Sequence, residues 1–177
     1  EQAGLPAGVV NIVTGDGSTG ALIVNHPGIN KIAFTGSTEV GKIIAESVAS
    51  TSKSVTLELG GKAANLVFED AAIDESVEGI VNGIFFNQGH VCCAGSRLII
   101  QESISDEFIK KLQKRMEKIR VGDPLDKNTD IGAINSKDQL DKITSLVNEG
   151  VEEGGTIFQT DCELPQNGFW FKPTLFT

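Results

Sequence analysis

The sequence predicts an α/β protein with parallel strands covered by helices. Two observations carry that reading. Short β-branched runs alternate with helical stretches across the first sixty residues, joined by connections of only a few residues, which is the βαβ pattern. Further on, Ile73, Val77, Ile80, Val81, Ile84 and Phe85 recur at i, i+4, i+7 and i+8, the spacing of a helix with one buried stripe.

Taken in order, Val9 to Val13 reads as a buried strand closed by the turn Thr14 to Gly17. Ser18 to Asn25 is expected to be a short helix stopped by His26-Pro27-Gly28. Lys31 to Phe34 forms the next strand, Gly36 to Gly41 turns into a helix through Ala49, and Ser54 to Leu59 is a third strand. A new unit is expected after Gly61, opening with a strand over Ala64 to Phe68 and the apolar-striped helix from Asp70. In that helix Gly79 and Gly83 would let a neighbouring element approach closely. A loop spans Asn87 to Gly95, followed by a strand over Arg97 to Gln101. The next helix is expected from Ser105, capped by Ser103 or Ser105, with Leu112, Met116 and Ile119 inside. A helix over Ser136 to Asn148 and a strand over Thr156 to Gln159 complete the series.

Bulk properties exclude several function classes. With 24 acidic and 15 basic residues the net charge is −9, a poor match for a nucleic-acid backbone. The basic stretch Lys110 to Arg120 is interleaved with acids at helical spacing and reads as a solvated helix face. No apolar run reaches the ~20 residues that a membrane span needs. The start, Glu1 to Pro6, lacks the layout of a signal peptide. The only methionine is Met116, so the chain is expected to be part of something longer. Three cysteines, two of them adjacent, make a poor disulfide framework, so cytoplasm or another reducing compartment is expected.

Two glycine motifs compete for attention. Gly15 to Gly20 matches G-x-G-x-x-G between a strand and a helix, but the acid that should close the next strand and bind a ribose is missing. Gly36 to Ile43 nearly spells a P-loop, yet Ile43 stands where a Mg²⁺-binding hydroxyl should be, which disfavours an NTPase. Tight turning between strand and helix explains both without a ligand. A Cys-His hydrolase pair of Cys92 with His90 lacks an orienting group, and three cysteines and two histidines with no C-x-x-C pair give no zinc or other metal site.

The chemistry is carried by two other runs. Leu57-Glu58-Leu59-Gly60-Gly61-Lys62 reads as a strand ending in a glycine turn with a carboxylate at its tip. Phe85 to Arg97 reads as a glycine-bounded loop presenting a thiol after an apolar helix. A thiol nucleophile and a carboxylate base are the parts for covalent chemistry on a carbonyl. Gly89 and Gly95 would turn the loop sharply and bring backbone N–H groups near the sulfur, where they favour thiolate and oxyanion. Leu57 and Leu59 suggest a carboxyl pressed into apolar surroundings, which suits a base. From the residues alone, buried apolar cysteines remain an equally open reading, and an exposed strand-end carboxylate is the favoured reading of Glu58.

Both runs, with Phe34 to Gly41 and Gly4 to Asn11, resemble the NAD(P)-dependent aldehyde dehydrogenase superfamily along the whole chain. The resemblance implies the end of a Rossmann-like cofactor domain over residues 1–61, and the first part of an α/β catalytic domain over residues 62–177. It implies Cys92 as nucleophile and Glu58 as general base. Gly36, Ser37 and Gly41 would face the pyrophosphate of NAD or NADP, Gly17 and Gly20 its adenosine half, and Leu59 and Gly60 its nicotinamide. Phe86 would wall the substrate tunnel, and Cys93 would be a bystander. His90-Val91 departs from common members without removing a catalytic group. The substrate implied is a small aldehyde, and the parent protein is expected to be a homo-oligomer.

The resemblance further implies that the chain is the middle of a family member. The oxyanion Asn and the ribose- and phosphate-binding Glu and Lys would then lie upstream, and a second ribose-binding Glu and the oligomerising strand downstream. The isolated piece would accordingly be inactive. Arg120 to Ile134 bears some resemblance to the subgroup with two aldehyde dehydrogenase-like domains, some of which have lost the nucleophile. A non-catalytic cofactor-binding scaffold is therefore the alternative reading.

Overall fold

The computed structural model describes residues 4–177, so the leader reading at Glu1 to Ala3 lies outside the described residues. The chain divides into two compact units, one ending at Gly60 and one spanning Gly61–Thr177.

In the first unit, α1 (Gly17–Asn25) starts at Asp16, whose carboxylate accepts from the Ser18 N–H at 2.9 Å and the Ser18 hydroxyl at 2.6 Å. Strands β1 (Lys31–Gly36) and β2 (Ser54–Leu59) pair in parallel, from Lys31 opposite Ser54 to Gly36 opposite Leu59. Parallel neighbours need a crossover, and α2 (Thr38–Val48) supplies it. Its Ile44 and Val48 pack with Ile32 of β1 into a small core flanked by Val24, Phe34 and Leu57.

One expected strand of this unit does not form. Val9 to Val13 carries no strand, and Val10 and Ile12 are 65% and 87% exposed. A β-branched run becomes a strand only beside a partner that takes its hydrogen bonds, and among the described residues no strand pairs with it.

The second unit opens with β3 (Ala64–Val67), which pairs in parallel with β4 (Arg97–Ile100). The crossover runs through α3 (Ile73–Phe85), which buries Val77, Ile80 and Val81 as its stripe predicts. Among the described residues, no neighbouring element comes within 4 Å of a Cβ built on Gly79 or Gly83, so the expected close approach is not made by them. Helix α4 (Glu102–Met116) lies against α3 and buries Phe108, Leu112 and Met116. Phe108 is 0% exposed and anchors this core. Lys111 pairs with Asp74 at 2.7 Å and Arg115 with Glu78 at 2.6 Å across the solvent edge of the two helices.

Helix α4 begins three residues before the predicted start and without a serine cap. Gln101 holds the cap position, and its Oε1 accepts from the Glu69 N–H at 3.0 Å. The two serines are spent as donors: Ser103 Oγ to Glu69 Oε2 and Ser105 Oγ to the Glu102 carbonyl, each at 3.0 Å. Helix α5 (Lys137–Glu152) is capped by Ser136, whose hydroxyl accepts from the Gln139 N–H at 3.2 Å. Strand β5 (Ile157–Gln159) pairs antiparallel with β6 (Thr174–Phe176). No helix among the described residues is long and apolar enough to cross a membrane.

Candidate active site

In parallel α/β layers, ligand sites form beyond the carboxyl ends of the strands. β1 and β2 end together, with Thr35 opposite Glu58 and Gly36 opposite Leu59. The pairing therefore brings the glycine turn into α2 and the glutamate motif to one sheet edge. Ser37 caps α2, its hydroxyl accepting from the Val40 N–H at 3.2 Å. The first-turn amides of a helix lack intrahelical acceptors and favour an anion. Glu39 shares that turn.

Each glycine here has its own reason. A Cβ on Gly36 would stand 2.4 Å from Phe34 Cζ, because the ring folds over the strand residue two places on. A Cβ on Gly41 would stand 2.6 Å from Leu59 Cδ2, so glycine lets α2 sit close against the end of β2. Gly17, Gly20 and Gly60 have open space instead, with no atom within 4 Å of a built Cβ. Gly17 and Gly20 border a groove of about 540 Å³ between α1, β1 and α2. At the cap of α1 the bonds from Ser18, hydroxyl first and then amide, hold the Asp16 carboxyl below its ordinary range.

Glu58 does not sit where the flanking leucines suggested. Strand alternation turns Leu57 and Leu59 inward, half-buried, and leaves Glu58 exposed on the opposite face. The base candidate is thus open to water at a strand end rather than pressed among apolar groups.

The thiol loop occupies the second unit. After α3 the chain turns through Asn87, Gln88 and Gly89 at φ of 49°, 56° and 76°. Three successive left-handed residues are rare, and the two with side chains carry backbone strain. The Asn87 amide donates to the His90 carbonyl at 3.3 Å and steadies this bend. Cys92 and Cys93 then occupy the corners of a turn closed by the Ala94 N–H on the Val91 carbonyl at 3.0 Å. Both thiols are exposed and Ala94 is buried, so neither cysteine is a core residue. Phe86, at the end of α3, is 70% exposed.

Downstream, the loop is tied to residues 62–65 by three bonds. The Asn65 amide donates to the Gly95 carbonyl at 3.0 Å, Arg97 Nε to the Lys62 carbonyl at 2.9 Å and the Arg97 N–H to the Ala63 carbonyl at 3.2 Å. A Cβ on Gly95 would stand 2.2 Å from Asn65 Nδ2. Gly95 is therefore a close-approach glycine, and of the two loop glycines only Gly89 has a positive φ. No motif or spacing marks Asn65 in the sequence. Its one signal is a polar residue inside the apolar run Ala64 to Phe68.

These features define a two-unit α/β protein that offers a strand-end carboxylate and a glycine-turned helix in one unit and a loop thiol in the other. The chain belongs to the aldehyde dehydrogenase family, whose family model matches residues 1–177. It is 49% identical to retinal dehydrogenase 2 of Rattus norvegicus over 179 aligned positions, covering 100% of this chain and 35% of that protein. The Mus musculus retinal dehydrogenase 2 is 48% identical over the same share. Among solved structures, an NAD-dependent aldehyde dehydrogenase from Sinorhizobium meliloti superposes with a TM-score of 0.94 at 39% identity, over 99% of this chain and 35% of that one. An aldehyde dehydrogenase from Bacillus cereus in complex with NAD+ gives 0.93 at 40% identity, over 99% and 36%. The chain thus spans about 35% of the length of the curated relatives that it matches.

Proposed function

We propose that the full-length protein carrying this chain oxidises an aldehyde to a carboxylic acid with NAD or NADP, and that Cys92 and Glu58 are its nucleophile and general base. The observation that carries this reading is the exposed Cys92 at the corner of a glycine-bounded turn, in a chain of this family. Residues 1–61 are read as the end of the cofactor domain and residues 62–177 as the first part of the catalytic domain.

The first unit fits a dinucleotide. The groove beside Gly17 and Gly20 has room for a planar base, since no side chain projects from either glycine and nothing crowds them. The turn at Gly36 and Ser37, with Gly41 one turn on, would take the pyrophosphate on the amides of α2. Leu59 and Gly60 would lie by the nicotinamide. When bound, NAD(P)+ supplies the acceptor for the hydride that leaves the substrate carbon.

The chain's own residues carry the rest. The Cys92 thiolate attacks the aldehyde carbon and forms the C–S bond of a thiohemiacetal. Backbone donors of the turn would stabilise the oxyanion. Loss of hydride leaves a thioester on Cys92. Glu58, open to water at the end of β2, takes a proton from a water molecule whose oxygen attacks the thioester carbon. The C–S bond then breaks, the carboxylic acid departs and the thiolate returns. Phe86 would line the aldehyde channel.

Intact-mass measurement on the full-length protein tests the division of labour. With aldehyde and oxidised cofactor, Glu58→Gln should accumulate one acyl group, and peptide mapping should place it on Cys92. A Glu58→Gln variant that turns over at the parent rate without acyl accumulation would overturn the assignment of the base.

A further inference from the structure

We propose that Asn65 is a positioning residue for Cys92, and that Asn65 and Gly95 act as one unit in setting the aim of the thiol. The proposal rests on the reading of Cys92 as nucleophile. Cys92 sits on a short turn, so its direction depends on how the two ends of the loop are held. Upstream, the loop leaves α3 through the left-handed residues Asn87, Gln88 and Gly89, a sharply bent entry. Downstream, the first anchor is the bond from the Asn65 amide to the carbonyl of Gly95, three residues after the thiol. Asn65 is half-buried on β3, where the ladder of Ala64 opposite Arg97 and Asn65 opposite Leu98 fixes its backbone.

The contact is reciprocal. The amide fills the place where a side chain on Gly95 would begin, with Nδ2 at 2.2 Å from a built Cβ. Any residue larger than glycine at position 95 must push Asn65 aside or move the loop. A shorter residue at position 65 removes that conflict but also the donor. The two positions should therefore couple, in the manner of groups sharing one volume and one bond.

The test uses the full-length protein and two readouts. One is the iodoacetamide alkylation rate of Cys92 relative to Cys93, read by mass on the peptide that carries both. The other is kcat and KM per titratable Cys92 thiol. Asn65→Asp keeps the shape and, when ionised, donates nothing. We expect the Cys92-to-Cys93 alkylation ratio to fall at least fivefold in Asn65→Asp, and kcat to fall similarly with KM within twofold. Gly95→Ala should show the same loss, and Asn65→Ser combined with Gly95→Ala should lose no more than the larger of the two single losses, since each change breaks the same contact. Should Asn65→Asp fail to fold, Asn65→Ser is read in its place. An alkylation ratio and kcat per thiol within twofold of the parent, or strictly additive losses in the double variant, would overturn the proposal. If the parent turns over no aldehyde, the dehydrogenase reading fails, and the alkylation ratio alone still decides the role of Asn65.

Discussion

Leu59 fills the volume that a side chain at Gly41 would need, its Cδ2 lying 2.6 Å from where the Cβ would stand. One contact thus couples the glycine turn that opens α2 to the strand that carries Glu58. Gly41→Val should force α2 from β2 and cost about 1–3 kcal/mol, as overpacking does. Leu59→Ala in the same molecule should recover part of that loss. Denaturant unfolding of the four proteins of this cycle checks it, and additive losses would contradict the contact.

Gly89 is predicted to resist any side chain. Its φ of 76° is left-handed, and a built Cβ stands 3.0 Å from the Ile84 carbonyl. Gly89→Ala should cost about 1–2 kcal/mol from the backbone alone, whereas Asn87→Gly at φ 49° should be tolerated. Thermal unfolding of the two variants should separate them in that order.

The core of the second unit should depend on Phe108, which is 0% exposed and packs among the α3 and α4 side chains. Phe108→Ala should remove about 3–5 kcal/mol, read by urea unfolding. A loss below about 1 kcal/mol would show that the site collapses around the change.

Asp16 gives α1 a pH dependence of known sign. The Ser18 bonds hold its folded pKa below the unfolded value. The cap therefore contributes above the ordinary carboxylate range, and its contribution fades as pH falls through the depressed value. The protection factor of the Ser18 amide, its exchange rate relative to the intrinsic rate at the same pH, should fall on acidification through that window. In Asp16→Asn, which keeps an acceptor but does not titrate, the acid-dependent part should disappear.

Much of this was legible in the sequence for a physical reason. The helices α2, α3 and α5 follow the apolar period, and the parallel β1–β2 pair follows from two apolar runs joined by a helix. Features that depend on a neighbour were not legible. Val9 to Val13 has the composition of a strand, but composition does not provide the partner. Ser103 and Ser105 look like caps, and only the fold shows their hydroxyls donating to Glu69 and Glu102. Strand β6, which starts directly after Pro173, is visible only through its pairing with β5. At the candidate site, the thiol and the carboxylate stand out by residue type, whereas Asn65 has no spacing or motif to mark it. Its relation to Gly95 crosses thirty positions of sequence.

Cys92 is proposed to carry covalent aldehyde oxidation in the full-length protein. The direct measurement is aldehyde-dependent growth of the reduced-nicotinamide absorbance, in the parent and in Cys92→Ala, across short, long and aromatic aldehydes. The prediction is turnover in the parent that vanishes in Cys92→Ala while cofactor binding persists. Turnover that survives in Cys92→Ala, or none in a parent that binds the cofactor, would contradict it.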